Sequence, residues 1–241
     1  MFGNFFNRMY YGDPRRPDLK ADDIPKKGVS LFFDILKNNF WQLISLNLLL
    51  IVSCIPIVTI GPALAGFNNV LRNHALNRNV WLWNDFKDGF VKNFKQSFII
   101  TLINALAAFI LINNYKIYSS YSTGFIKIAG SYITIFIGFI LVLMNVYIYP
   151  LMVTYDLKIK HIYKNALIFS IIKLPQTIGI VLLSLLLFGL CILFAFIPLI
   201  VIGFSLVGLA INVYDRSVFE KYIDSRVNQG DKKMEDKPEN Q

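Results

Sequence analysis

The sequence predicts an all-α, polytopic transmembrane bundle of about six membrane-embedded helices, accompanied by amphipathic helices at the membrane interface. Three observations predict it. First, 55% hydrophobic and 16% charged residues, with a mean hydropathy of +0.52, lie outside the usual composition of soluble proteins. Second, four stretches, 38–71, 96–115, 128–155 and 174–214, contain no Asp, Glu, Lys or Arg. Each meets the roughly 20 residues that cross a hydrocarbon core of about 30 Å at about 1.5 Å per residue. Third, the 24 Lys and Arg gather in the polar segments between and around these stretches: seven before residue 38, five in 72–95, two in 115–128, four in 156–173 and six after 214.

The charge distribution orients the spans. The segment poorest in Lys and Arg, 115–128, is expected outside and the other four in the cytoplasm, with both termini. Residues 96–115 then leave the cytoplasm, 128–155 return, and 174–214 cross out and back. The run 38–71 must begin and end inside, yet it is short for two spans. Its resolution is the sequence Cys54-Ile-Pro-Ile-Val-Thr-Ile-Gly-Pro, where Pro56, Gly61 and Pro62 break the helix and Pro62 suits the first turn of a new one. A hairpin is predicted with legs from about Phe40 to Ile55 and from Pro62 to about Arg78, the second only about 25 Å long. Asn68, Asn69 and Arg72 make this leg polar, so it should face protein or the interface, with Arg72 snorkelling toward the cytoplasm. The alternative is one span over 40–60 followed by a polar surface helix, giving five spans and opposite termini.

The layout divides the chain into a cytoplasmic N-terminal segment at 1–27, a membrane helical domain at 28–225 and a disordered cytoplasmic tail at 226–241. No apolar run before residue 38 matches the core of a signal peptide, so the N-terminus is expected to be retained.

The break itself recurs. Residues 55–61, Ile-Pro-Ile-Val-Thr-Ile-Gly, resemble residues 197–203, Ile-Pro-Leu-Ile-Val-Ile-Gly, and both follow a long apolar leg that opens near a Lys and a Gln: Lys37 with Gln42, Lys173 with Gln176. A similar opening, Lys92-Asn-Phe-Lys-Gln96, starts the middle span. Apolar residues at helical spacing precede all three: Phe32, Phe33, Leu36 and Phe40; then Leu82, Phe86, Phe90 and Phe94; then Ile159, Ile162, Tyr163 and Ala166. Three parallel hairpins, each introduced by an interfacial helix, account for this pattern; similar interfaces selecting similar residues without duplication account for it equally.

Residues 56–96 resemble the hallmark segment of the YesL-like family, bacterial membrane proteins of unknown biochemical function. The residues that carry the likeness are Pro56, Thr59, Gly61, Pro62 and Ala63 at the break, Leu71 and Arg72 after it, and Phe86, Phe90, Asn93, Phe94, Lys95 and Gln96 before the next span. Asn68 and Asn69 depart from it, standing where more aromatic residues are expected. The resemblance implies a multi-pass protein of the bacterial plasma membrane and an association with carbohydrate uptake. It implies no activity.

The residues give little chemistry of their own. A net charge of +9 fits a membrane surface better than nucleic acid, because no zinc finger, helix-turn-helix or RNA-binding signature accompanies it. No phosphate-binding loop occurs, and the four apolar runs hold no carboxylate or histidine for a proton relay. Asp85 and Asp88 share a helical face, but beside Lys87 and Lys92 they read as a solvated charged face. Cys54 and Cys191 sit in apolar runs and are read as small hydrophobes, so no metal, cofactor or catalytic group is expected. Asn47, Asn104, Asn145, Gln176, Ser184 and Asn212 suit interhelical hydrogen bonds better than a solute path. The expected function is a non-enzymatic accessory or assembly component, with a small facilitative transporter of a neutral polar solute as the alternative. Its expected partners are the bilayer, anionic headgroups and a membrane transporter complex, met through Arg72, Phe86, Phe90, Lys92, Phe94 and Lys95.

Overall fold

In the computed structural model, residues 28–120, 124–193 and 199–224 are described, and every regular element among them is helical. The N-terminal segment and most of the tail lie outside the described residues, as do Ile197 and Pro198 of the repeated break.

Three elbows organise the chain. Helix α1 (Val29–Asn38) meets α2 (Phe40–Ser53) at Asn39, bent by 87°. After the break come α3 (Ile60–Ala75) and α4 (Leu82–Lys92), and α4 meets α5 (Phe94–Ser120) at Asn93. Helix α6 (Phe125–Thr154) returns, and α7 (Ile159–Ile172) meets α8 (Leu174–Leu193) at Lys173, bent by 97°. The described residues close with a π-helical turn (Leu199–Gly203), α9 (Phe204–Phe219) and a second π-helical turn (Glu220–Asp224).

The elbows share one backbone geometry. Asn39, Asn93 and Lys173 have φ of −118°, −101° and −109° with ψ of 20°, 12° and 27°. In each, the elbow N–H bonds the carbonyl four residues back, and the elbow carbonyl accepts from the N–H four residues on: Leu43 at 3.0 Å, Ser97 at 2.8 Å and Thr177 at 2.8 Å. The elbow residue thus closes the hydrogen-bond ladder of one helix and opens that of the next. Leu43, Ser97 and Thr177 are all fully buried. This is the regularity that three similarly introduced hairpins would produce.

The apolar stripes are partly redistributed. In α1 the bundle side is Leu31 and Ile35, with Phe32 and Leu36 half-buried, whereas Phe33 and Phe40 are exposed. A membrane helix can be apolar all round, so apolar spacing does not separate its protein side from its lipid side. In α4, Leu82, Phe86 and Gly89 point inward, and in α7 it is Ile162, Ala166 and Phe169.

Helices α5, α6 and the stretch Val201–Ile223 are long and apolar enough to cross a membrane, and the two bent pairs raise the number to five. Helix α3, the predicted second leg, has 16 residues and α2 has 14. At about 1.5 Å per residue they reach only about 24 Å and 21 Å, short of a core of about 30 Å. Yet α3 is the most enclosed element: it packs against α4, α5, α6 and α9, and Asn68, Gly61 and Pro62 are among its buried residues.

The tip between α2 and α3 is exposed and apolar, comprising Ile55, Pro56, Ile57 and Val58. Thr59 Oγ1 lies 2.7 Å from both the Ser53 and Pro56 carbonyl oxygens, covering acceptors left at the end of α2. Legs too short to cross and an exposed apolar tip lead to the expectation that this loop turns within lipid. Cysteine placed at Ile57, in a background lacking Cys54 and Cys191, is expected to resist a membrane-impermeant maleimide applied from either side. A control cysteine at Lys127 should react. Rapid labelling at residue 57 would instead put the tip in water.

Candidate functional site

The residues singled out in the sequence separate into a buried seam and an exposed face. The seam is the α3–α4 contact. A Cβ at Gly66 would lie 2.6 Å from the Phe86 carbonyl oxygen, and one at Gly89 2.6 Å from Asn69 Cβ and 2.9 Å from Gly66 Cα. Only glycine allows the helices to approach this closely, the small-residue packing common in membrane bundles. Asn69 Nδ2 donates to the Asp85 carbonyl at 2.8 Å across the same seam.

Phe86 belongs to the seam: it is buried against α3, and Phe90 is half-buried beside it, their rings stacked with centroids 6.2 Å apart. Phe86 is therefore turned into the bundle and not toward a partner, whereas Phe90 keeps part of its surface open. Lys92, Phe94 and Lys95 are exposed at the α4–α5 elbow, next to exposed Val91 and Lys87. Gly61 is pressed onto α5, where a Cβ would meet Thr101 Oγ1 at 2.5 Å and the Ser97 carbonyl oxygen at 2.6 Å.

Asp85 has a structural task. Its Oδ2 accepts from the Trp81 N–H at 2.9 Å, capping the start of α4. Burial pushes its carboxyl above the ordinary aspartate range; hydrogen bonds from Trp81 and Asn73 pull it back, and Asp88 raises it further. Because the folded state raises this group, its contribution to stability is complete below the unfolded value of about 4 and is lost as pH rises through the folded value. Asp85→Ala should cost about 1 kcal/mol through the lost cap. Asp85→Asn keeps an acceptor and should flatten the pH dependence of thermal unfolding as pH rises above the unfolded aspartate value of about 4.

The neutral polar residues are joined across helices. Asn104 Nδ2 donates to Asn145 Oδ1 at 2.8 Å, and the Tyr163 hydroxyl donates to Asn104 Oδ1 at 2.8 Å, linking α5, α6 and α7. Asn212 Nδ2 donates to Asn68 Oδ1 at 2.9 Å, and the Ser205 N–H to Asn47 Oδ1 at 3.0 Å, holding α9 to α3 and α2. Gln96 Nε2 donates to the Leu157 carbonyl at 2.5 Å, tying the middle elbow to the start of α7.

Sequence reasoning missed Asp215. It stands one residue beyond the last charge-free run and beside Arg216, so it falls in the basic polar segment after residue 214, where nothing local marks it. In the fold it is buried, and neither carboxyl oxygen has a hydrogen-bond partner among the described residues. It lines a cavity of about 40 Å³ between α3, α6 and α9, together with Arg72, Thr154, Asn212, Arg216 and Glu220. Arg72 therefore turns toward this cavity, half-buried, instead of extending freely to the surface. Arg216 Nε donates to Glu220 Oε1 at 2.7 Å, and its Nη1 donates to the Ala75 carbonyl at the C-terminal end of α3, where a cation is favoured. Among the described residues no three His, Cys, Asp or Glu come together at metal-binding distances. Cys54 is a half-buried free thiol; the side chain of Cys191 lies outside the described residues.

A family model described as a protein of unknown function, DUF624, matches residues 43–115. The match runs from α2 through the break, the α3–α4 seam and the middle elbow into α5, whereas Asp215 lies beyond it. No curated protein and no solved structure matches the chain.

Proposed function

We propose that this chain is a YesL-like, multi-pass protein of the bacterial plasma membrane that serves as a non-enzymatic accessory or assembly component associated with carbohydrate uptake. The observation that carries the reading is the division of labour in α4. Its inner side is committed to the glycine seam, while its outer side and elbow present Lys87, Val91, Lys92, Phe94 and Lys95. Such a mixture of apolar and basic groups suits an anionic lipid surface, at about 1 kcal/mol per Lys or Arg, and a membrane-embedded partner beside it. Lys37, Lys158, Lys160 and Lys164, exposed on the other two interfacial helices, add to the same basic end. The positive-inside rule turns that end, and with it both termini, to the cytoplasm.

The facilitator reading is less well supported, because Asn47, Asn68, Asn104, Asn145 and Asn212 are engaged with one another or with backbone across helix contacts. Crosslinking in native membranes, followed by identification of the copurifying proteins, tests the accessory role; recovery of transporter subunits supports it. Saturable solute flux by the purified chain alone in liposomes would overturn it.

A further inference from the structure

We propose that the cavity between α3, α6 and α9 binds a primary ammonium group, with Asp215 as its counter-ion, and that this group is the ethanolamine headgroup of a phospholipid. The inference rests on the membrane reading above but not on the accessory role.

Asp215 is 1% exposed and both its oxygens lack donors. Burying an ionised carboxylate without donors costs several kcal/mol, which a ligand rich in N–H or O–H groups would offset. A primary ammonium offers three donors on a compact head. Two can serve the Asp215 oxygens once the lining side chains shift to open them, since each has less than 1 Å² accessible in the fold. The Thr154 hydroxyl donates to the Pro150 carbonyl at 2.6 Å and so keeps its oxygen lone pairs for the third.

Size and charge narrow the choice. The cavity offers about 40 Å³, where a single water needs about 10–15 Å³. About three to four water-sized groups fit, room for an aminomethyl end and tight for the bulkier trimethylammonium. The charged lining, Arg72 and Arg216 with Asp215 and Glu220, is balanced as it stands. A bare metal ion would add a positive charge beside two guanidiniums, whereas an ammonium that carries a phosphate two carbons away preserves the balance. The Arg216 and Glu220 side chains are 12% and 33% exposed, so this side of the cavity faces outward, where a phosphate can sit. Leu76, Pro150 and Phe219 supply apolar wall for the connecting methylenes.

The position suits a lipid. The cavity joins the C-terminal ends of α3 and α6, and the chain leaves α6 directly into the interfacial helix α7. It therefore lies at the basic end of the bundle, at the level where headgroups meet water.

The test uses the full chain in vesicles of phosphatidylcholine, into which phosphatidylethanolamine or phosphatidylglycerol is titrated, read by thermal unfolding and by native mass spectrometry of retained lipid. The expected result is retention of phosphatidylethanolamine over phosphatidylcholine by at least about tenfold, falling with successive N-methylation as hydrogen-bond donors are removed. Asp215→Asn should abolish the preference, and Thr154→Val, a milder change, should weaken it while leaving unfolding in phosphatidylcholine nearly unchanged. Bilayer effects of ethanolamine lipids act on wild type and variants alike and so cancel in that comparison. Equal retention of the two zwitterionic lipids, a preference that survives Asp215→Asn, or equal stabilisation by sodium or potassium ions would overturn the proposal. Free ethanolamine reproducing the whole effect in phosphatidylcholine vesicles would overturn the lipid as the source and leave a soluble amine in its place.

Discussion

Gly89→Val is expected to detach α4 from α3 and to lower the thermal midpoint of the chain in detergent more than any other single change on α4. The Cβ alone would stand 2.6 Å from Asn69 Cβ and 2.9 Å from Gly66 Cα, and neither neighbour is the far end of a flexible side chain. Overpacking typically costs about 1–3 kcal/mol, and here separation of the helices also weakens the bond from Asn69 to the Asp85 carbonyl and uncovers Phe86. Gly66→Val should behave similarly, since its Cβ would meet the Phe86 carbonyl oxygen at 2.6 Å. The double variant should cost less than the two singles added together, because both break one contact. Gly179→Ala in α8 is the control: nothing lies within 4 Å of its Cβ position, and the change should be neutral or gain up to about 1 kcal/mol in helix propensity. Limited proteolysis after Arg78 gives an independent readout, since this residue is exposed on the connection that a loosened α4 would free. A Gly89→Val protein that melts and resists cleavage like the parent would mean that α4 is not seated on α3. The accessory reading would then lose the rigid presentation of Lys92, Phe94 and Lys95.

What the sequence made legible follows from the physics that writes it. Charge-free runs and Lys/Arg clusters mark spans and polar segments directly, because lipid tolerates so few ionised groups. The openings at Lys37 to Gln42, Lys92 to Gln96 and Lys173 to Gln176 proved to be the three elbows, since a chain passing from interface to hydrocarbon changes its residue types there. Pro56, Gly61 and Pro62 fall at the α2–α3 break and the start of α3, as proline and glycine chemistry requires. Polar Asn68 on the second leg faces protein, as expected, bonded to Asn212.

Other features could not be read locally. Apolar periodicity groups Phe33 and Phe40 with Phe32 and Leu36 in one stripe without saying which side it faces; Leu31 and Ile35 face the bundle and Phe33 and Phe40 are exposed, because lipid accepts an aromatic side chain as readily as the bundle does. The Gly66–Gly89 seam pairs two glycines from different helices, and a single sequence says nothing about which small residues will meet. Asp215 was concealed by its neighbours. Next to Arg216, with Glu220 and Lys221 one turn on, it has the local signature of a solvated helix end. Only the approach of α3 and α6 encloses it.

The largest loss expected from removing one side chain is at Tyr147, and two variants there separate packing from hydrogen bonding. Tyr147 is fully buried where α6 meets α7, α8 and α9, with its ring 5.9 Å from that of Phe169 and 6.2 Å from that of Tyr214. Its hydroxyl lies 2.6 Å from Thr177 Oγ1 and 3.1 Å from the Tyr214 hydroxyl. Thr177 Oγ1 already donates to the Lys173 carbonyl at 2.9 Å, the carbonyl of the third elbow. One proton order satisfies all three contacts: Tyr214 donates to Tyr147, Tyr147 to Thr177, and Thr177 to Lys173. Tyr147→Phe keeps the ring and leaves Thr177 its bond to Lys173 but removes both hydrogen bonds of the Tyr147 hydroxyl, so it should cost about 2 kcal/mol, at about 1 kcal/mol net for each. Tyr147→Ala removes the ring as well and should cost about 3–5 kcal/mol, as truncation of a buried aromatic does. Thermal unfolding of both variants in one detergent measures the ratio. If Phe proves as damaging as Ala, the hydroxyl chain carries the junction and the third elbow depends on a polar lock. If Ala proves as mild as Phe, α6 and α8 are held apart from this ring and their described packing is wrong.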